Sequence, residues 1–313
     1  YGILPALLLI LIIAFAVIEP RFLSSGNLMN VSRQLSFLGI ISIAQMYYLV
    51  TGNYDLSNGA TVALSSVSAA LVMNSVSPDD PGTAIFLGVL TGLLIGLIVG
   101  LVNSVLIAVF NISSFMVTMG MGSVATGFAL LLSGGAPVVG LPSEFSLYLG
   151  RSAILGLPSQ LIMLIVIIFL AYLLMNWTKW GRQAYAVGGN KAAAYQSGVN
   201  VKRTLVFMMV LGSFLSAFVG IILTARLSTG EANIGLQYPL VSIIACVIGG
   251  IALSGGEGRV SGAVMGALFI ILLSNGMDLI RVQSHVQDIM LGILLAVALL
   301  VDRLRSRVKL RIG

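Results

Sequence analysis

The chain has 313 residues, 58% of them hydrophobic and only 8% charged, where a soluble domain carries roughly a quarter charged residues; such a composition leaves too little polar surface for life in water. Its net charge of +6 does not signal nucleic acid, because ten of the sixteen basic residues fall in two clusters, Lys179, Arg182, Lys191, Lys202 and Arg203, and then Arg303, Arg305, Arg307, Lys309 and Arg311. Those clusters mark cytoplasmic segments of a membrane protein, and the single cysteine, Cys246, builds neither a disulfide framework nor a multi-cysteine metal site.

Runs such as Ile3 to Ile18, Leu87 to Phe110, Leu161 to Met175 and Leu291 to Val301 are apolar on every face. A β-barrel would alternate apolar and polar residues, so these runs read as helices, each needing roughly 20 residues to cross the hydrocarbon. In chain order the expected spans are 2–18, 35–51, 59–76, 83–109, 115–133, 159–176, 204–225, 238–254, 260–277 and 287–302. The fold class is therefore all-α, a polytopic bundle of about ten transmembrane helices forming one domain over 1–313.

The first run lacks a basic n-region and a small-residue cleavage site, so it reads as a spanning helix with a cytoplasmic tail before it rather than a signal peptide. The stretch 177–203 and the C-terminus are placed inside, which makes both termini cytoplasmic. Outer loops then hold Asp79 and Asp80, the Gly134 to Pro158 segment, Arg226 to Gln237, and Asp278 to His285. The Gly, Pro and Ser content of 134–158 predicts irregular structure with a short re-entrant or lid-like helix. Inside lies a tight turn, Gly255 to Arg259. Arg21 and Arg33 fall outside, against the positive-inside rule.

Glycine recurs every fourth residue at Gly88, Gly92, Gly96 and Gly100 before Asn103, and again at Gly258, Gly262 and Gly266 before Asn275. Each row lines one helix face. The two rows run in opposite directions through the membrane, the pattern of an inverted-topology repeat, and the same spacing also serves as a packing seam.

Several stretches then carry a family resemblance. Phe22-Leu23-Ser24, Asn27-Leu28, Asn30, Arg33-Gln34 and Gly39-Ile40 are followed by Thr51-Gly52-Asn53-Tyr54-Asp55-Leu56-Ser57-Asn58-Gly59. That last stretch is similar to a Gly-Gly-Ile-Asp-Leu-Ser-Val-Gly signature, from which it departs at Asn53, Tyr54 and Asn58. Gly181-Arg182-Gln183-Ala184-Tyr185-Ala186-Val187-Gly188-Gly189-Asn190 runs on through Ala192-Ala193-Ala194 to Ser197-Gly198-Val199, and Val247-Ile248-Gly249-Gly250, Gly255-Gly256, Gly258 and Asn275-Gly276 come later. Over nearly its whole length the chain resembles the permease subunits of ribose, galactose and xylose type ABC importers.

The resemblance implies that the 177–203 stretch contains the coupling helix that docks on an ATPase, with Gly181, Arg182, Tyr185, Gly188, Gly189, Asn190, Ala192, Ala193, Ala194, Tyr195, Ser197 and Gly198 as the coupling residues. It also implies two permease subunits, alike or different, and two ATPase domains, separate or fused. A periplasmic solute-binding protein would deliver the solute at the bacterial inner membrane, with membrane lipid as surroundings and no nucleic acid. From the residues themselves, Lys191 to Val199 is short, Ala-rich and flanked by cytoplasmic charge, with Tyr195 as an aromatic knob. It suits a partner's groove, or it is an ordinary positive-inside loop.

No Gly-x-x-x-x-Gly-Lys-Ser/Thr loop occurs, since Gly188-Gly189-Asn190-Lys191 lacks the glycine before lysine and the hydroxyl after it. This chain is therefore expected to bind no cofactor, with ATP and Mg held by the partner ATPase, and to be no enzyme itself. Candidate translocation-path residues are Asn53, Asp55, Ser57, Asn103, Phe115 and Asn275. Asp55 lines the path or caps the following helix; Asn103 and Asn275 face the solute or bond across helices; Phe115, with Met116 and Met119, narrows the path or packs. An ion-coupled secondary carrier is the alternative, disfavoured by the scarcity of intramembrane acids. A lone His285 carries no assignment.

Overall fold

The structure is a computed structural model that describes residues 3–76, 80–154 and 156–312; Asp79 and the start of the expected 2–18 span lie outside them. Thirteen α-helices are found among the described residues. In order they are α1 (Ile3–Ile18), α2 (Ser25–Val50), α3 (Asn58–Ser75), α4 (Pro81–Ala108), α5 (Ser114–Ser133), α6 (Ser143–Phe145), α7 (Ser159–Trp177), α8 (Lys179–Gly189), α9 (Lys191–Gln196), α10 (Val201–Leu227), α11 (Tyr238–Ile248), α12 (Val260–Leu279) and α13 (Ser284–Ile312).

Five of these, α4, α5, α7, α10 and α12, are long and apolar enough to cross a membrane, and Leu4–Ile18, Tyr238–Ile248 and Ser284–Val297 are shorter apolar helices. The other two expected spans, α2 and α3, carry more polar residues, and they are the most enclosed. From Ser36 to Val50 every residue of α2 is buried, as is almost all of α3. Helices shielded from lipid on all sides can hold serine, threonine and amide side chains, provided each finds a partner. The outer helices show the reverse: α4 turns Gly88, Gly92, Gly96 and Gly100 inward while Phe86, Leu90, Leu94 and Ile98 are exposed on its opposite face.

The glycine rows sit at the closest helix crossings. A Cβ on Gly100 would lie 2.8 Å from the Val210 Cα of α10, and one on Gly266 would coincide with the Ala245 carbonyl oxygen of α11. Ser65 ties the first seam, its hydroxyl donating to Gly92 O (2.9 Å) or Ala217 O (3.0 Å). Gly258 is not part of the second row, because α12 begins two residues later; it belongs to the turn before it, at φ 157°.

Several boundaries differ from expectation for local reasons. The second helix starts at Ser25 instead of 35, because Ser24 caps it by accepting from Asn27 N at 3.4 Å. The span expected over 238–254 stops at Ile248, where Gly249 and then Gly250 at φ 79° end the helix. The turn expected at Gly255 to Arg259 is accordingly longer, reaching from Gly249 to Arg259. At the other end α13 continues through the basic C-terminal stretch to Ile312. The 134–158 segment contains α6, one π-helical turn (Ser146–Arg151) and a two-residue hairpin pairing Ala153–Ile154 with Leu157–Pro158, and Val138 bridges to Gly230. His285 sits in the first turn of α13 rather than in a loop.

Candidate functional site

Two features built from the motif residues meet at one end of the bundle. The first is the elbow of α8 and α9. Thr178 starts α8, its hydroxyl accepting from Trp180 N at 3.2 Å and Gly181 N at 3.4 Å. Gly181, Ala184 and Val187 form the buried stripe of that helix, and Trp180 stacks on Phe207 of α10 with ring centroids 4.4 Å apart. Asn190 breaks the chain direction and caps α9 by accepting from Ala193 N at 3.0 Å. Asn200 then caps α10 through Arg203 N at 3.0 Å.

Three side-chain caps within this short stretch satisfy helix-end N–H groups locally, so the elbow holds its shape without a partner. Ala194 is its anchor, while Tyr195 is 74% exposed and Arg182, Lys191, Ala192, Ala193, Ser197 and Gly198 are exposed with it.

The second feature is the way this elbow is held. Gly188 presses against the end of α2 so closely that a Cβ there would coincide with the Val50 carbonyl oxygen. That same oxygen accepts from Gly256 N at 2.9 Å. A Cβ on Gly255 would lie 2.8 Å from Gly188 O and 2.9 Å from Gly52 Cα, and one on Gly256 would lie 2.7 Å from Gly189 Cα. Three segments, the 51–57 break, the end of α8 and the 249–259 turn, thus touch backbone to backbone. Tyrosines reinforce the clasp: Tyr185 OH donates to Gly258 O at 2.9 Å, and Tyr54 OH donates to Leu253 O at 3.2 Å.

Inside the clasp the 51–57 break is held by buried polar groups from five helices. Asp55 Oδ1 accepts from Ser57 N at 2.8 Å and from Ser57 Oγ at 2.6 Å, which places a carboxylate at the start of α3, where the helix dipole favours it. Asn103 of α4 donates to Ser57 Oγ at 3.0 Å. From α5, Ser114 Oγ accepts from Tyr54 N at 3.2 Å and Thr118 Oγ1 from Leu56 N at 3.0 Å. Gln45 of α2 brackets the Asp55 backbone, lying 3.0 Å from its O and 3.3 Å from its N, and Asn58 donates to Ser242 Oγ of α11 at 3.2 Å. Asp55 lies in the connection between α2 and α3, and burial pushes its carboxyl up to about 6, a rise opposed by the hydrogen bonds from Ser57 and Asn58.

The predicted path residues therefore separate. Asp55, Ser57 and Asn103 come together, and Asn53 joins them in the break, donating to Thr51 O at 3.0 Å. Asn275 stands elsewhere, paired reciprocally with Asn27 of α2 at 2.8 and 2.9 Å, and Phe115 lies 54% exposed on α5. Asn275 is occupied by its cross-helix pair with Asn27, whereas Asn103 donates to Ser57 while its buried Oδ1 has no hydrogen-bond partner. Gln45, Ser114, Thr118 and Ser242 were not singled out from sequence; a lone amide inside an apolar run was the only signal, at Gln45. No group of three His, Cys, Asp or Glu side chains that could hold a metal occurs among the described residues.

The family described as branched-chain amino acid transport system / permease component matches over residues 27–299. The ribose import permease protein RbsC of Bacillus subtilis is 39% identical over 300 residues, covering 96% of this chain and 91% of the relative. The L-arabinose transport system permease protein AraH of Escherichia coli is 33% identical over 309 residues, covering 99% and 92%. A probable ABC transporter permease protein, YphD of the same organism, is 36% identical over 300 residues, covering 95% and 88%. No solved structure matches at a significant level.

Proposed function

The chain belongs to the permease family of branched-chain amino acid transport systems, within which its relatives over nearly their full length are sugar import permeases, and on that footing we propose how it works. It is the membrane-spanning permease subunit of a monosaccharide ABC importer, a transport component rather than an enzyme, and it acts with an ATPase and a solute-binding protein. Two copies, or this chain and a paralogue, enclose the pathway above two ATPase domains, with both termini and the α8–α9 elbow on the cytoplasmic side. The partner ATPase holds ATP and Mg. A pentose is the favoured solute, because ribose and arabinose are named in the relatives.

The observation that carries the mechanism is the clasp. The exposed Tyr195 end of the elbow is where an ATPase pushes, and Gly188 at its other end abuts Val50 with no side chain between. Displacement of the elbow therefore reaches the 51–57 break directly, and through it the hydrogen bonds of Asp55, Ser57 and Asn103. ATP binding favours one arrangement of that break over another, so the solute route opens by a shift of population. The buried polar groups let the break exchange partners without exposing bare backbone to lipid.

The test is Tyr195→Ala in the assembled transporter in nanodiscs with its binding protein. Because the side chain is solvent-exposed, folding is unchanged, whereas loss of an interface anchor weakens ATPase docking by about 30-fold, equivalent to ~2 kcal/mol. Sugar-stimulated ATP hydrolysis is then lost. Wild-type stimulation and docking in the variant would overturn Tyr195 as the coupling anchor, and uptake that follows an ion gradient without any ATPase would overturn the whole reading in favour of a secondary carrier.

A further inference from the structure

Two of the basic residues in the 177–203 stretch lie beyond the elbow. Lys202 and Arg203 stand exposed in the first turn of α10, and among the described residues neither side chain makes a hydrogen bond or an ion pair. The Asn200 cap uses the backbone N–H of Arg203 and leaves its guanidinium free. The helices around them offer no counter-charge, because α4, α8 and α10 contain no Asp or Glu.

Both residues line an open cleft of about 520 Å³ between α4, the start of α8 and the start of α10. Arg203, Val206, Phe207 and Val210 recur at helical spacing, so a single face of α10 forms one wall. Leu101 and Val109, both exposed, form the other, with about 12 Å of α4 between them at 1.5 Å rise per residue. Trp180 lines the α8 side, its ring stacked on Phe207 and facing Lys179 Nζ at 5.8 Å from a ring centroid.

The polarity of this cleft runs along its length. Gly92, Gly96 and Gly100 pack on Ile221, Ala217 and Val210 in that order, so α4 and α10 are antiparallel. Leu101 is therefore level with Val210, and Val109 with the turn that carries Lys202 and Arg203. One end is wholly apolar and the other holds two unpaired cations beside an indole. A free anion would leave the apolar length bare, and a neutral lipid would leave both cations without a partner. A phosphodiester bearing acyl chains satisfies both ends. Arginine forks onto phosphate oxygens, lysine adds a point charge, and tryptophan favours the headgroup level. Basic pockets between membrane helices on the cytoplasmic side take anionic headgroups.

We propose that the cleft between α4, α8 and α10 is a specific site for an anionic phospholipid, with Lys202 and Arg203 holding its phosphate and the Leu101–Val210 end receiving an acyl chain. With the elbow on the cytoplasmic side, as the transport reading has it, the site opens to the inner leaflet. The headgroup then sits at the root of α10, just past the Asn200 cap that follows the elbow.

The experiment is native mass spectrometry of the assembled transporter after exchange into mild detergent, with phosphatidylglycerol and phosphatidylcholine supplied at equal concentration. Wild-type protein retains phosphatidylglycerol by about tenfold over phosphatidylcholine, the scale of one charge-assisted hydrogen bond. Lys202→Gln with Arg203→Gln brings the ratio to about one. Removing two exposed cations outside the cleft, Arg21→Gln with Lys191→Gln, leaves the ratio at its wild-type value, and excess inorganic phosphate leaves the lipid in place. Equal retention of the two lipids by the wild-type transporter overturns the site, whether the cleft selects nothing or the ATPase covers it. An unchanged ratio in Lys202→Gln with Arg203→Gln overturns it too, as does an equal fall in the control, which would show an effect of net charge only. Displacement of the lipid by inorganic phosphate would show a simple anion site and also overturns it. Should the double variant fail to assemble, Lys202→Gln alone carries the test, with a fall of about threefold expected, half the preference in free-energy terms. The readout is lipid mass, so the site stands or falls apart from the transport reading.

Discussion

Adding one methyl group at Gly188 tests the clasp, because the space for it is already filled by the Val50 carbonyl oxygen. Neither partner can yield cheaply: that oxygen also accepts from Gly256 N at 2.9 Å, and Gly188 O lies against Gly255. Gly188→Ala therefore forces the end of α8 away from α2 and strains or breaks that backbone bond. Overpacking costs about 1–3 kcal/mol and a lost backbone hydrogen bond about 1 kcal/mol, so the expected destabilisation is about 2–4 kcal/mol. Gly189 supplies the control. It is the next residue, no atom lies within 4 Å of a Cβ placed there, and its φ is not positive. Gly189→Ala should stay within about 0.5 kcal/mol of wild type. The assays are thermal melting of the purified transporter and sugar-stimulated ATP hydrolysis in nanodiscs. Gly188→Ala should melt lower and hydrolyse ATP without response to sugar, while Gly189→Ala melts as wild type. A Gly188→Ala protein with wild-type melting and coupling, or equal damage from both substitutions, would refute the direct backbone contact as the transmitting element.

Two further outcomes follow from the buried polar groups. The Asp55 carboxyl is raised from 3.8 to about 6 in the fold, so the native state holds its proton more tightly than the unfolded chain, and this group's contribution declines as pH rises from about 4 through 6. The loss amounts to about 3 kcal/mol. Asp55→Asn, which mimics the neutral acid, should match wild type near pH 4 and be the more stable above about pH 7, by melting in detergent at each pH; a difference that does not change with pH would sink this assignment. For the Asn27 and Asn275 pair, a double-mutant cycle with alanine should give a coupling of about 0.5–2 kcal/mol, and strict additivity would show that the reciprocal bonds contribute nothing.

Much of the bundle is legible in the sequence because hydrophobic length is a local property. Runs such as 83–109 and 159–176 must become membrane helices wherever they lie, and the Ala-rich Lys191 to Val199 segment shows its short helix, though not the bend that Asn190 makes before it. Helix ends were less legible where a single cap or a glycine pair decided them. Ser24 extended α2 by ten residues at its start, and Gly249-Gly250 cut α11 short, each through hydrogen bonds or backbone angles that run-length reasoning does not weigh.

Composition and run length alone determined that this chain is a many-helix membrane protein, since burial in lipid imposes its demand on every residue in a run. Tertiary structure alone decided which distant residues meet. Gly188 meets Val50 and Gly256, Asn103 meets Ser57, and Asn27 meets Asn275, across separations for which the sequence has no local signature. The same physics places the polar helices α2 and α3 at the centre: a serine or glutamine is tolerable in a membrane only where other helices supply its hydrogen bonds, and only the assembled bundle shows which helices those are.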